Sequence, residues 1–104
     1  MVYLVYVTAS NQEEAKDLAK KAVEARLAAC ANVYPQITSF YWWEGKLNQD
    51  QEASVIFKTW ADKVEKLIER LKEWHSYSCP CVLAWPIEKG NQAFIAWIEQ
   101  ETRS

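Results

Sequence analysis

At 104 residues and 12.1 kDa, half of them hydrophobic and a quarter charged, the chain has material for one domain with one modest core. A net charge of −2 with acidic and basic residues intermixed offers no Lys/Arg block for a nucleic-acid backbone, and no run approaches the ~20 apolar residues of a membrane helix. Three cysteines make no disulfide framework, and the opening MVYLVYVTASN lacks a basic leader and a cleavage site, so no signal peptide and a reduced, cytoplasmic setting are expected.

Val2 to Thr8 is a continuous β-prone run, the pattern of a strand covered on both faces. Ser10-Asn11-Gln12-Glu13 fits a capping box, with the Ser10 hydroxyl and the Glu13 carboxylate serving orphan amides. The following helix carries Ala15, Leu18, Ala19, Ala22, Val23 and Leu27 on one stripe and is expected to reach Ala28 or Ala29. Cys30 to Trp43 reads as a second strand, bent at Pro35, which has no ladder donor. Gly45 supplies a positive φ for a hairpin loop, and Glu52 to Thr59 is the returning strand. A second helix begins at Thr59-Trp60-Ala61-Asp62, with Val64, Leu67, Ile68, Leu71 and Trp74 on its apolar stripe. After the irregular SYSCP, Cys81 to Pro86 is a fourth strand, and Gly90-Asn91 introduces a short helix with Phe94, Trp97 and Ile98 facing inward. The order β-α-β-β-α-β plus a helix is the split βαβ arrangement, an α+β fold with an antiparallel sheet and helices on one face.

The run Phe40-Tyr41-Trp42-Trp43 breaks the alternation expected of a strand with one wet face. Ile37, Ser39, Tyr41 and Trp43 share one side, and Thr38, Phe40 and Trp42 the other. Rings bury about 150–250 Å² each, ~4–6 kcal/mol in gross transfer energy, and leaving several on water creates an aggregation-prone patch. No further chain is present to cover the second side, so another copy is the economical source. The expectation is an oligomer whose interface holds Phe40, Tyr41, Trp42 and Trp43.

ARLAACANVYP (residues 25–35), SFYWWEGKL (39–47), EASVIFKT (52–59), HSYSCP (75–80) and FIAWIEQET (94–102) together resemble the CutA divalent-cation tolerance family over nearly the whole chain. That resemblance implies a ferredoxin-like fold in a tight homotrimer of PII-like architecture, with the long hairpin of each subunit pairing with a neighbour's sheet. It also implies metal-ion tolerance, copper binding in some members, and anchoring of a membrane enzyme in eukaryotic relatives. No bound metal or other cofactor is expected to be needed for folding; the expected partners are other copies of the chain and a metal ion or small molecule, with neither nucleic acid nor membrane.

Three features compete for the chemistry. His75, the only histidine, resembles the His of the family's His-Pro-Tyr segment, here His-Ser-Tyr, and is a candidate metal ligand. Some members have a second His before it and a Cys near the end of the first strand; those positions hold Trp74 and Val7, so a competing reading makes His75 a helix cap at the negative dipole end. Cys79-Pro80-Cys81, if extended, turns both thiols the same way, toward a soft ion such as Cu(I), although free cysteine is also a small core hydrophobe. Cys30 is expected to pack at its strand start and Asn32 to make a structural hydrogen bond. By analogy with PII-like trimers, a cleft between subunits would involve Tyr41, Trp43, Glu52, Lys58 and His75, where a small-molecule sensor or scaffold could find its ligand. No Gly-rich phosphate loop, paired catalytic carboxylates or Cys/His nucleophile pair stands out, so catalysis is not expected. The acylphosphatase and RNA-recognition readings of the same element order lack an Arg/Asn anion site and basic companions for the aromatics.

Overall fold

The computed structural model describes residues 1–103. Four strands form one antiparallel sheet: β1 (Val2–Ala9), β2 (Cys30–Trp43), β3 (Lys46–Trp60) and β4 (Val82–Ile87), in the order β2-β3-β1-β4. Helices α1 (Gln12–Glu24) and α2 (Val64–Trp74) connect them as two interleaved split βαβ units, and α3 (Gln92–Glu101) follows β4. This is the expected α+β, ferredoxin-like architecture.

The core follows from strand parity. Val5, Val7 and Ala9 of β1 face Phe57, Val55 and Ala53 across the ladder, and all six are completely buried against Ala15, Leu18 and Ala22 of α1 and Leu67 and Leu71 of α2. Alanine at 9, 15, 22 and 53 lets helix and sheet backbones approach closely. At the end of β3 the Thr59 hydroxyl donates 2.7 Å to the Leu27 carbonyl, so this buried polar pair is satisfied.

Helix ends deviate from expectation by small, explicable amounts. The cap of α1 is Asn11, not Ser10: its side chain accepts the Glu14 amide at 2.9 Å, while Glu14, not Glu13, reaches back to Ser10. Both pairs have the same three-residue spacing, so pattern alone could not choose the register. The helix stops at Glu24, short of Ala28, because Arg26 adopts φ +62°. The Leu27 amide bonds to the Ala22 carbonyl and the Arg26 amide to that of Val23, a Schellman closure on a residue other than glycine. The second helix also starts late, after a 3₁₀ turn at Ala61–Lys63.

β3 begins at Lys46, six residues before the expected Glu52, because a two-residue loop, Glu44 (φ +50°) and Gly45 (φ +76°), lets the ladder run to the hairpin tip. β2 carries one extra residue where Tyr34 pairs with Ser54 and Ile37 already pairs with Glu52, a bulge around Pro35 and Gln36. Before it, Ala31 and Val33 lie on the helix side; after it, Ile37, Ser39, Tyr41 and Trp43 lie with Glu52 on the opposite side. The distal hairpin projects past the helices, which gives the subunit a long axis of 44 Å against 25 and 22 Å. Phe40, Trp42, Trp43 and Leu47 are all exposed on it.

α3 corrects the expectation of helices on one face only. Lys58 lies on the sheet face opposite the core, and its ammonium sits 5.7 Å from the Phe94 ring, so α3 packs by this second face. Only Ile98 of its three expected inward residues is buried; Phe94 and Trp97 stack on each other, centroids 5.4 Å apart, and stay exposed in the subunit. No helix among the described residues is long and apolar enough to cross a membrane.

Candidate functional site

The second sheet face is covered by α3 at one end and open at the other, where the hairpin rises beside the loop that follows α2. That loop is held by a compact polar network. Glu14, fixed in the first turn of α1 by the Asn11 cap, accepts the Ser10 amide and hydroxyl on Oε1, both at 2.9 Å, and the Ser76 amide on Oε2 at 2.8 Å. Burial alone would raise its pKa; the hydrogen bonds from Ser10 and Ser76 outweigh that and bring it down to about 2.

His75 stands at the C-terminal end of α2 with its side chain fully enclosed. Its Nδ1 accepts the Tyr77 amide at 3.0 Å, which places the proton on Nε2, and Nε2–H donates to the Thr8 carbonyl at 2.7 Å. The expected metal ligand is corrected by this geometry: both ring nitrogens are engaged, and neither offers a lone pair to a cation. The cap reading holds in position, and the ring also bridges the Tyr77 amide to the Thr8 carbonyl of β1, with Glu14 Oε2 3.7 Å from Nδ1. Val7 is in the core, and Lys21 lies over the Trp74 ring at 5.7 Å.

With the loop pinned, Tyr77, Ser78, Cys79 and Cys81 form one side of a cleft of about 500 Å³. Ser39, Tyr41 and Trp43 from the hairpin form another, and Thr8 of β1 and Glu52 of β3 complete it. The Tyr77 hydroxyl donates 2.8 Å to Glu52 Oε2, tying the loop to the sheet, and its ring lies 4.7 Å from that of His75. Burial, the bond to Glu52 and the surrounding negative charge raise the Tyr77 pKa well above its ordinary value. The Tyr41 hydroxyl donates to Asp50, and that bond raises its pKa as well. Both phenols therefore stay protonated and keep their donors on the carboxylates.

The expected cleft residues Tyr41, Trp43 and Glu52 come together here, and His75 supports the cleft from beneath without lining it. Lys58 does not belong to it: its ammonium donates 2.8 Å to Asn32 Oδ1 beside α3, at the other end of the strand. That bond gives Asn32 the structural role expected of it. Cys30, opposite Lys58 in the ladder, has its thiol pKa raised by burial, with Lys58 pulling the other way. Cys79 and Cys81 both line the cleft and both are free, but no three His, Cys, Asp or Glu side chains among the described residues converge as a metal-holding group. Tyr77, Asp50 and Glu14 were not among the site residues expected from the sequence. The Asn11-x-x-Glu14 spacing was the one available signal.

The sequence profile of the CutA1 divalent ion tolerance protein family matches residues 3–101. The chain belongs to the CutA1 family. Among curated CutA1 relatives, the divalent-cation tolerance protein CutA of Archaeoglobus fulgidus is 44% identical over 96 residues, 92% of this chain and 93% of that one. The CutA protein of Thermus thermophilus is 40% identical over 98% and 99% of the two chains. The mouse CutA protein is 42% identical over 99% of this chain, which spans only 58% of the mouse sequence. The CutA1 fold is equally close in three dimensions: the solved structures from Archaeoglobus fulgidus and Thermus thermophilus each superpose with a TM-score of 0.95, at 41% and 40% identity, over 99% of this chain and all of theirs.

Proposed function

We propose that this CutA1-family chain serves divalent-cation tolerance as a homotrimeric binding protein in a reducing, cytoplasmic setting, and that copper, as Cu(I), is taken up by the thiolates of Cys79 and Cys81. The observation that carries the metal reading is the presence of two free cysteines in the lining of one cleft. Thiolate pairs select soft Cu(I), and two are enough for a linear site, so the absence of a third ligand among the described residues is no obstacle. Support for assembly comes from Phe40, Trp42, Trp43 and Leu47 on the hairpin and from Leu83, Trp85, Phe94 and Trp97 elsewhere, all exposed in the single subunit. A binding role fits better than catalysis because the one imidazole is held by Thr8 and Tyr77, leaving the thiols without a base partner.

Native mass spectrometry of untagged protein under anaerobic Cu(I) titration tests this. The expected species is three chains of 12.1 kDa with one copper per chain, and the Cys79→Ser/Cys81→Ser variant should remain trimeric without stoichiometric copper. Copper retained by that double variant would move the metal elsewhere. A second reading, small-molecule sensing at clefts between subunits, is favoured by the cleft itself, whose volume matches small-ligand sites better than it matches a bare ion.

A further inference from the structure

We propose that the cleft beside the hairpin is a site for an N-alkylated organic ammonium ion, held by the rings of Tyr41, Trp43 and Tyr77 in front of the carboxylates of Glu52 and Asp50. This rests on the sensing reading of the cleft and names its ligand class.

Three observations converge on a large, soft cation. The first is charge: Glu52 lines the cleft, Asp50 stands behind Tyr41, and no Lys or Arg is among the lining residues. Two lysines share this strand face: Lys58 is turned away onto Asn32 and Phe94, and Lys46, opposite Trp43 in the ladder, is exposed at the hairpin tip outside the lining. The second is aromatic geometry: three rings from two different elements border one space of about 500 Å³, the size range of a small organic ligand. Ring faces carry the negative end of the π quadrupole and attract cations without requiring a tight ion pair.

The third is the way the carboxylates are used. Glu52 is donated to by Tyr77 and Asp50 by Tyr41. A phenol donating to a carboxylate gains electron density in its ring, so both tyrosines become better cation–π faces through the bonds that fix them. The same bonds take one acceptor site on each carboxylate and fix the rings beside the negative charge. A primary ammonium ion would use the remaining carboxylate oxygens but would present little apolar surface to the three rings. A quaternary or tertiary ammonium ion, which needs none or one, is served well. A hard divalent ion, which needs several converging oxygens, finds no such group among the described residues.

The test compares choline with its neutral isostere 3,3-dimethylbutan-1-ol in protein-observed NMR titrations of the intact protein, following the Trp43 indole and Tyr77 amide signals. Choline is expected to bind at least about tenfold more tightly than the isostere, with ethanolamine between them. Glu52→Gln should reduce that preference without changing assembly, and Tyr77→Leu should remove choline binding while the amide spectrum of the core persists. Equal affinity for choline and the isostere would overturn the cation assignment and leave a ligand cleft standing. Absence of saturable shifts with either would overturn the cleft reading too. The Cys79→Ser/Cys81→Ser variant should bind choline normally, and loss of choline binding in that variant would count against this site.

Discussion

Val55 and Trp42 belong to the same hairpin, and the two ends of that hairpin obey different rules. Val55 is wholly buried among β1, α1 and α2, while Trp42 is 73% exposed in the subunit. The proximal half is a closed problem: every odd-numbered residue from Ala53 to Thr59 meets a partner supplied by the chain itself. The distal half is open on both sides and spends its largest side chains where the chain has nothing to put against them. The lesson is that apolar composition alone does not report burial, and that strand parity together with helix count separates the surface the subunit covers itself from the surface it leaves exposed.

That contrast can be broken in order of expected effect. Trp42→Glu places a charge in the proposed contact between copies, and sedimentation or native mass should fall from three chains to one; an unchanged trimer mass would end the assembly argument. Phe57→Ala, on the same hairpin but in the closed half, should cost about 3–5 kcal/mol in denaturant unfolding through the cavity it leaves, with the assembly state retained under native conditions. Glu14 gives the smaller effect and a pH signature. Its folded pKa of about 2 lies below the ordinary carboxylate value, so its contribution, about 2–3 kcal/mol, is present above pH ~4.5 and drains away as pH falls toward 2. Glu14→Gln should therefore be less stable than the parent at pH 7 and approach it near pH 2. A constant difference across that window would mean that the Ser10 and Ser76 bonds do not depend on the charge.

Most of the fold was legible because period and punctuation agreed. The strand of Val2 to Thr8, the helix stripe of Leu18, Ala19 and Ala22, and the Gly45 loop each carry one local signal with one meaning. What was missed lies where two readings share a spacing or where the deciding contact is remote. Ser10 and Asn11 compete for the same cap, and Arg26 in a left-handed conformation has no composition cue because glycine usually takes that place. The candidate site was half legible. Tyr41, Trp43 and Glu52 share a strand face that parity reveals, but the loop of Tyr77 to Cys81 is brought to them by remote bonds, His75 to Thr8, Ser76 to Glu14 and Tyr77 to Glu52, which are 67, 62 and 25 residues apart in sequence. Lys58 lies apart from the cleft within the subunit for the same reason, since nothing in its own strand says that Asn32 captures it.

The one-residue irregularity around Pro35 and Gln36 behaves as a phase shifter between two otherwise regular ladders. It uncouples the choice of side chains over the core from the choice over the cleft, so either half can change its pattern without forcing the other to follow. Excising Gln36 would restore strict alternation and exchange the two sides of the arm, turning Phe40 and Trp42 toward the cleft and Tyr41 and Trp43 away from it. The composition of the arm would hardly change. The two sides, which we propose serve a neighbour and a ligand, would exchange places.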